Sequence, residues 1–183
     1  MAEAVTTMRK LFLIRHAKSS WADPEMDDFD RPLNKRGRRA AHAMAEYLGR
    51  SHIRPSLALV SASLRTRATW DILEGALEGI PVTIERCIYE AAKGDILHRL
   101  QQMDPHLTSV MVVGHSPGLP RLAEALCGTN GDAAALAALA EKYPTGALAE
   151  IDLDIENWHE LQPGTGRLTA FIRPKDLTGE DED

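Results

Sequence analysis

Two hydrophobic periods alternate along the first two thirds of the chain. Lys10-Leu11-Phe12-Leu13-Ile14 is a short apolar run that stops at Arg15-His16. It is too short for a helix and rich in strand formers, so it predicts a buried parallel strand. Leu57-Ala58-Leu59-Val60, stopping at Ser61, and Val110-Met111-Val112-Val113, stopping at Gly114-His115, repeat that signature. Between them the spacing changes to three and four. Ala40, Met44 and Leu48, flanked by Ala43 and Tyr47, predict a helix with Gly49 as its stop. Leu64, Ala68, Ile72 and Ala76 predict a second, and Ile96, Leu97, Leu100 and Met103 a third, with Asp95 as its cap. Leu119, Leu122 and Leu126 predict a fourth behind Pro117, and Val82-Thr83-Ile84 a minor strand.

Strands alternating with helices at this spacing imply crossover units on a parallel sheet. After Gly128 the pattern shifts to an Ala-rich helix over residues 132–142, then strand-like stretches at 147–153, 158–161 and 168–172, suited to an antiparallel extension. The expected fold is α/β: a three-layer α/β/α sandwich whose mixed, mostly parallel sheet is flanked by helices. Residues 1–175 form one domain on this reading, and residues 176–183 an acidic, disordered tail.

Composition narrows the class. A chain of 183 residues buries enough surface in one core to need no disulfide or structural metal. Cys87 and Cys127 form no CxxC pair, residues 1–7 are polar rather than signal-like, and every apolar run is shorter than a bilayer span. A reduced, cytoplasmic protein outside membranes is expected. The net charge of −6 argues against coating nucleic acid, but it is unevenly spread. Residues 1–70 hold 13 basic and 7 acidic side chains, residues 71–179 hold 8 and 16, and residues 180–183 are all acidic.

Ligands of open α/β sheets bind beyond the carboxyl ends of the strands. There the sequence places Arg15-His16, then Ser61-Ala62-Ser63-Leu64-Arg65, then His115-Ser116. Guanidinium forks suit a multi-oxygen anion, and a neutral imidazole can attack phosphorus. Each residue alone would be an ordinary solvated or capping group; together, on separate strands, they point to phosphoryl chemistry.

These residues carry a resemblance. Leu13-Ile14-Arg15-His16-Ala17 resembles the strand-RHG signature of the histidine phosphatase superfamily, the phosphoglycerate-mutase-like proteins. Arg31-Pro32-Leu33-Asn34-x-x-Gly37 is similar to its RPLT-x-x-G segment, Ser61-x-x-x-Arg65-x-x-x-Thr69 to its SP-x-x-RA-x-QT segment, and Val113-Gly114-His115 to its second histidine. The compact length and the Arg15 to Trp21 opening are most like SixA-type phosphohistidine phosphatases. The resemblance implies a metal-independent phosphatase, without cofactor, acting through a phosphohistidine enzyme intermediate. His16 would be the nucleophile, and Arg15, Arg65 and His115 would clamp the phosphoryl oxygens. His16 would have to be neutral in the attacking form, while His115 could be charged and donate, which pushes their pKa values apart. The implied substrate is phosphohistidine in a partner protein, with a small phosphate monoester as the alternative. A pseudo-enzyme that only binds phosphate is a further reading.

Three departures stand out: Ala17 replaces Gly, Ser61-Ala62 lacks Pro with Ala68 in place of Gln, and no acid is clearly placed to protonate the leaving group. Glu90 is the nearest candidate for that acid, with Tyr89 one register away and Asp23, Glu25 or Asp27 in the loop after His16 as others.

A rival occupies the same residues. Gly114-His115-Ser116-Pro117-Gly118 is a literal G-x-S-x-G between strand and helix, with Asp152, Asp154 and His159 downstream, as a serine esterase requires. Pro117, however, lacks the N–H that would complete an oxyanion hole, and that reading leaves Arg15, His16 and Arg65 unused. The basic run Lys35-Arg36-Gly37-Arg38-Arg39 has no aromatic neighbours for stacking single-stranded nucleic acid. It sits at a predicted helix start, where it opposes the dipole and calls for a local anion.

Overall fold

A computed structural model of the chain describes residues 8–180. Its sheet has the order β3-β2-β4-β1-β5-β6. The strands are β1 (Arg9–Arg15), β2 (Leu57–Ser61), β3 (Val82–Glu85), β4 (Ser109–Gly114), β5 (Leu148–Leu153) and β6 (Gly166–Ile172). β1, β2, β3 and β4 pair in parallel, while β5 and β6 run antiparallel to their neighbours, as the change of pattern after Gly128 predicts.

The helices are α1 (Lys35–Arg50), α2 (Leu64–Glu74), α3 (Lys93–Gln101), α4 (Gly118–Cys127), α5 (Ala133–Glu141) and α6 (Pro174–Thr178). Alternation along the strands divides the core into two layers. Phe12, Ile14, Ala58, Val60, Met111 and Val113 face α1 and α2. Leu11, Leu13, Leu59, Val110 and Val112 face α3, α4 and α5. Each of these strands is buried on both faces, which explains why its sequence is continuously apolar rather than alternating. No described helix is long and apolar enough to cross a membrane, and both cysteines are free.

Four expectations are corrected. Residues 158–161 form no strand: Trp158–Glu160 is a 3-10 turn, because Trp158 is fully buried and donates its indole N–H to the Leu107 carbonyl at 2.8 Å. Asp176, Leu177 and Thr178, assigned to the tail, complete α6, where Asp176 accepts from the Arg173 backbone N–H at 2.9 Å. Residues 181–183 of that tail, like residues 1–7, lie outside the described residues. Asp95 is the third residue of α3 rather than its cap and accepts from the Ala92 N–H. Gly49 does not end α1, which continues to Arg50.

The segment joining β1 to α1 fixes the future site. Asn34 caps α1, its side chain accepting from the Gly37 N–H at 2.7 Å, and its own N–H reaches the Lys18 carbonyl at 3.0 Å. A Cβ on Gly37 would lie 2.1 Å from the Lys18 oxygen, so the first turn of α1 rests directly on the backbone that follows His16. Ala17 has no left-handed backbone and is fully buried against Leu33 and Ala41, so its methyl fills space where the resembled motif has Gly. Gly37→Ala is expected to destabilise the protein by about 1–3 kcal/mol through this overpacking, read as a lower denaturant midpoint with unchanged slope.

Candidate active site

The strand order puts β1 beside β4 and β4 beside β2, so their carboxyl ends converge. Arg15 is in register with Gly114, and the His16 N–H continues the ladder to the Gly114 carbonyl at 2.9 Å. His115 follows directly, its ring centroid 5.3 Å from that of His16. Arg65 arrives from the first turn of α2. Thr69, one turn later, donates to the Arg65 carbonyl at 2.7 Å and accepts from the Ala17 N–H at 3.0 Å, binding α2 to the His16 segment.

Carbonyls only accept, so the 2.8 Å contact between His16 Nδ1 and the Ala17 oxygen places the proton on Nδ1. Nε2 therefore carries the lone pair, and the Arg65 Nε–H points at it from 3.4 Å. The His16 pKa is lowered to about 3, by burial first, with His115, Arg65 and Arg15 adding to it against the opposing Ala17 hydrogen bond. His115 is the other tautomer. Arg65 Nη2 donates to its Nδ1 at 3.3 Å, and its Nε2–H donates to Ser61 Oγ at 2.7 Å. Its pKa falls to about 4, through burial first and the Arg65 charge second. The expectation that the two histidines are pushed apart is thus corrected. Both are neutral because both are buried beside one guanidinium, and the tautomer distinguishes them.

Arg65 is only 4% exposed. Its Nη1 donates to the Asp28 carbonyl at 2.6 Å and its Nη2 to Asp28 Oδ2 at 3.0 Å. Asp28 also accepts from Arg31 Nη1 at 2.8 Å and from the Tyr89 hydroxyl at 2.6 Å. Burial alone would raise its pKa, but the hydrogen bonds from Tyr89 and Arg31 and the Arg65 charge hold it at about 2. Asp28 is therefore a fixed anion, not a proton donor. Sequence reasoning missed it. The only available signal was that a buried arginine requires a carboxylate partner, and five acids crowd residues 23–30.

Arg15, His16, Arg65, His115 and Glu90 line one cleft of about 580 Å³. Glu90 sits on an exposed turn with φ of 50°. Tyr89, one position earlier, lies edge-on to His115 with centroids 5.4 Å apart, while Asp23, Glu25 and Asp27 do not line the cleft. Ser116 does, but its supposed partners do not. Asp152 is in register with Lys10 at the opposite, amino-terminal end of β1 and pairs with its ammonium at 2.8 Å. His159 belongs to the turn beyond β5 at that same far edge. No serine triad forms.

Fold and site together define an α/β protein with two arginines and two neutral histidines at the strand ends. The profile of the histidine phosphatase superfamily (branch 1) matches residues 11–107, and the chain belongs to that superfamily. The uncharacterized protein Rv1276c of Mycobacterium tuberculosis is 32% identical over 88% of this chain and 100% of its own length. An uncharacterized chloroplastic protein of Arabidopsis thaliana, At3g52155, is 32% identical over 91% of this chain and 78% of its own. The structure of a SixA from Agrobacterium tumefaciens, named as a candidate phosphohistidine phosphatase, superposes with a TM-score of 0.78 at 32% identity, covering 91% of this chain and 98% of that one. A protein histidine phosphatase SixA complexed with tungstate, at 22% identity and TM-score 0.74 over 92% and 99% of the two chains, shares the fold.

Two outcomes follow from the charges. A buried histidine with a lowered pKa leaves the unfolded chain binding the extra proton, so stability falls as pH drops below the unfolded value of about 6.5. Each of His16 and His115 contributes a slope of up to about 1.4 kcal/mol per pH unit between 6.5 and its folded value. His16→Gln should flatten the urea midpoint between pH 6.5 and 4. Asp28→Asn leaves the buried Arg31 and Arg65 without their anion and should cost about 1–3 kcal/mol, discounted because Asp28 is itself partly exposed. Inorganic phosphate should restore more stability to this variant than to the wild type in thermal unfolding.

Proposed function

We propose that this protein is a phosphatase that forms a phosphohistidine intermediate on His16 and acts on phosphohistidine in a partner protein. The observation that carries the reading is the His16 tautomer: a neutral ring, locked by the Ala17 carbonyl, with its Nε2 lone pair facing the cleft beside Arg65. In the first step Nε2 attacks phosphorus, the bond from phosphorus to the leaving nitrogen breaks, and that nitrogen's ring leaves with a proton. In the second, water attacks the same phosphorus, giving inorganic phosphate and regenerating His16. Arg15 and Arg65 stabilise the charge on the phosphoryl oxygens, and an arriving dianion favours the protonated, donating form of His115.

The choice of substrate rests on the leaving group. Of the three carboxylates on the cleft wall, Asp28 is held ionised and supplies no proton and Glu180 pairs with Arg39, which leaves Glu90 as the one we assign as general acid. An imidazole leaving group takes a proton from solvent on its distal nitrogen more readily than an alkoxide does, so phosphohistidine asks least of such a site. Similarity to the Agrobacterium tumefaciens SixA supports the same substrate. The two free cysteines fit a reducing, cytoplasmic setting.

In the presence of EDTA, wild type should hydrolyse p-nitrophenyl phosphate and a phosphohistidine peptide, whereas His16→Ala should lose at least about a thousandfold in kcat. Acid-labile phosphate trapped on the chain should map to His16. Glu90→Gln should depress the ester reaction more than the phosphohistidine reaction. Equal activity of wild type and His16→Ala would falsify the mechanism, and phosphate binding without turnover of either substrate would make the protein a binding pseudo-enzyme.

A further inference from the structure

The cleft is much larger than a phosphoryl group. At about 580 Å³ it lies in the range of sites that enclose whole small ligands. Its charge also exceeds what the reacting phosphate needs. Beyond the Arg15 and Arg65 pair it is lined by Lys18, by Arg36 and Arg39 from the first turns of α1, and by Lys142 from the segment between α5 and β5.

The α1 side chains are the telling ones. The first turn of α1 contains no acid, although helix N-termini favour negative charge. Placing basic side chains there raises the local potential twice, through their own charge and through the helix. A cleft wall lined by one sign of charge raises the local concentration of the opposite ion, here an anion.

One anion already marks the position. Glu180, just past α6, lines the same cleft, and its carboxylate lies 3.5 Å from Arg39 Nη2. The side chains of this pair are 59% and 57% exposed. An exposed pair at that distance is weak, so an incoming anion can displace Glu180.

We infer that the cleft has two anion subsites: the phosphoryl subsite at His16, and a second at Arg36, Arg39 and Lys142 that receives another phosphate or carboxylate of the same substrate molecule. Glu180 occupies the second subsite as an internal substitute and competes with that group. The inference rests on the phosphatase reading for its first subsite only.

The test uses matched pairs of compounds at fixed ionic strength: n-alkylphosphonates and α,ω-alkylenebisphosphonates of equal chain length, as competitive inhibitors of p-nitrophenyl phosphate hydrolysis. At least one bisphosphonate should bind on the order of tenfold more tightly than its partner, as expected for charge-assisted contacts to a second group. In the Arg36→Gln/Arg39→Gln double variant that ratio should collapse towards one, and in Glu180→Gln it should rise. Equal inhibition within every pair for wild type overturns the two-subsite inference while leaving His16 chemistry intact. If wild type hydrolyses nothing, the phosphatase reading fails instead, and the same ratios measured by calorimetry decide the second subsite. Phosphohistidine peptides with Glu or Gln beside the phosphohistidine identify the source of the group. A higher kcat/KM for the Glu peptide assigns it to a protein side chain, and a preference confined to bisphosphonates assigns it to a small molecule.

Discussion

A guanidinium buried to 4% exposure between two imidazoles sets the terms for the rest of the site. Arg65 retains its charge at any physiological pH, so its neighbours must adapt. Asp28 gives up proton exchange to balance it, and His16 and His115 give up their positive charge. Each histidine must then direct one nitrogen elsewhere, His16 to the Ala17 carbonyl and His115 to Ser61. The nucleophilic lone pair of His16 is thus a consequence of how Arg65 is buried and which acceptors surround it, rather than an intrinsic property of the histidine.

The clamp depends on the loop after β1 being anchored at several points. Asp28 lies in a 3-10 turn well beyond His16, and Arg31, which also holds Asp28, donates to Ser19 and stacks on Trp21 at 3.2 Å. Together these contacts fix the position of the anion that holds Arg65. A chain of modest ion pairs therefore controls a strongly polarised centre, and it does so because its basic members are buried: Arg31 is 7% exposed and Arg65 is 4%.

What could be read from the sequence follows the same division. β1, β2 and β4 are legible because a strand buried on both faces must be continuously apolar, and their carboxyl ends locate Arg15, His16 and His115 without further information. Trp158 misled the strand assignment because its apolar character serves a single buried anchor and not an alternating face. The end of α6 was hidden because Asp176 reads as part of a solvated acidic tail but acts locally, pairing with Arg173. Asp28 was illegible for a different reason. Which of five clustered acids meets Arg65 depends on the path of the loop, and that path is set by long-range contacts to Ser19, Ser20 and Tyr89.

The net charge of −6 conceals the organisation that matters. The basic excess of residues 1–70 is concentrated where α1 meets the His16 segment, and the two are mechanically one unit. The Asn34 N–H holds the Lys18 carbonyl, and Gly37 lets the helix rest on that same oxygen. Arg36 and Arg39 therefore cannot shift relative to His16 without breaking the cap of α1 or opening the packing at Gly37. A second anionic group bound by these arginines would be tied to the phosphorus at His16 through the backbone contacts between α1 and the His16 segment. Binding energy gained far from the reacting bond then goes into positioning it, which is how such a site can favour one phosphorylated molecule over another.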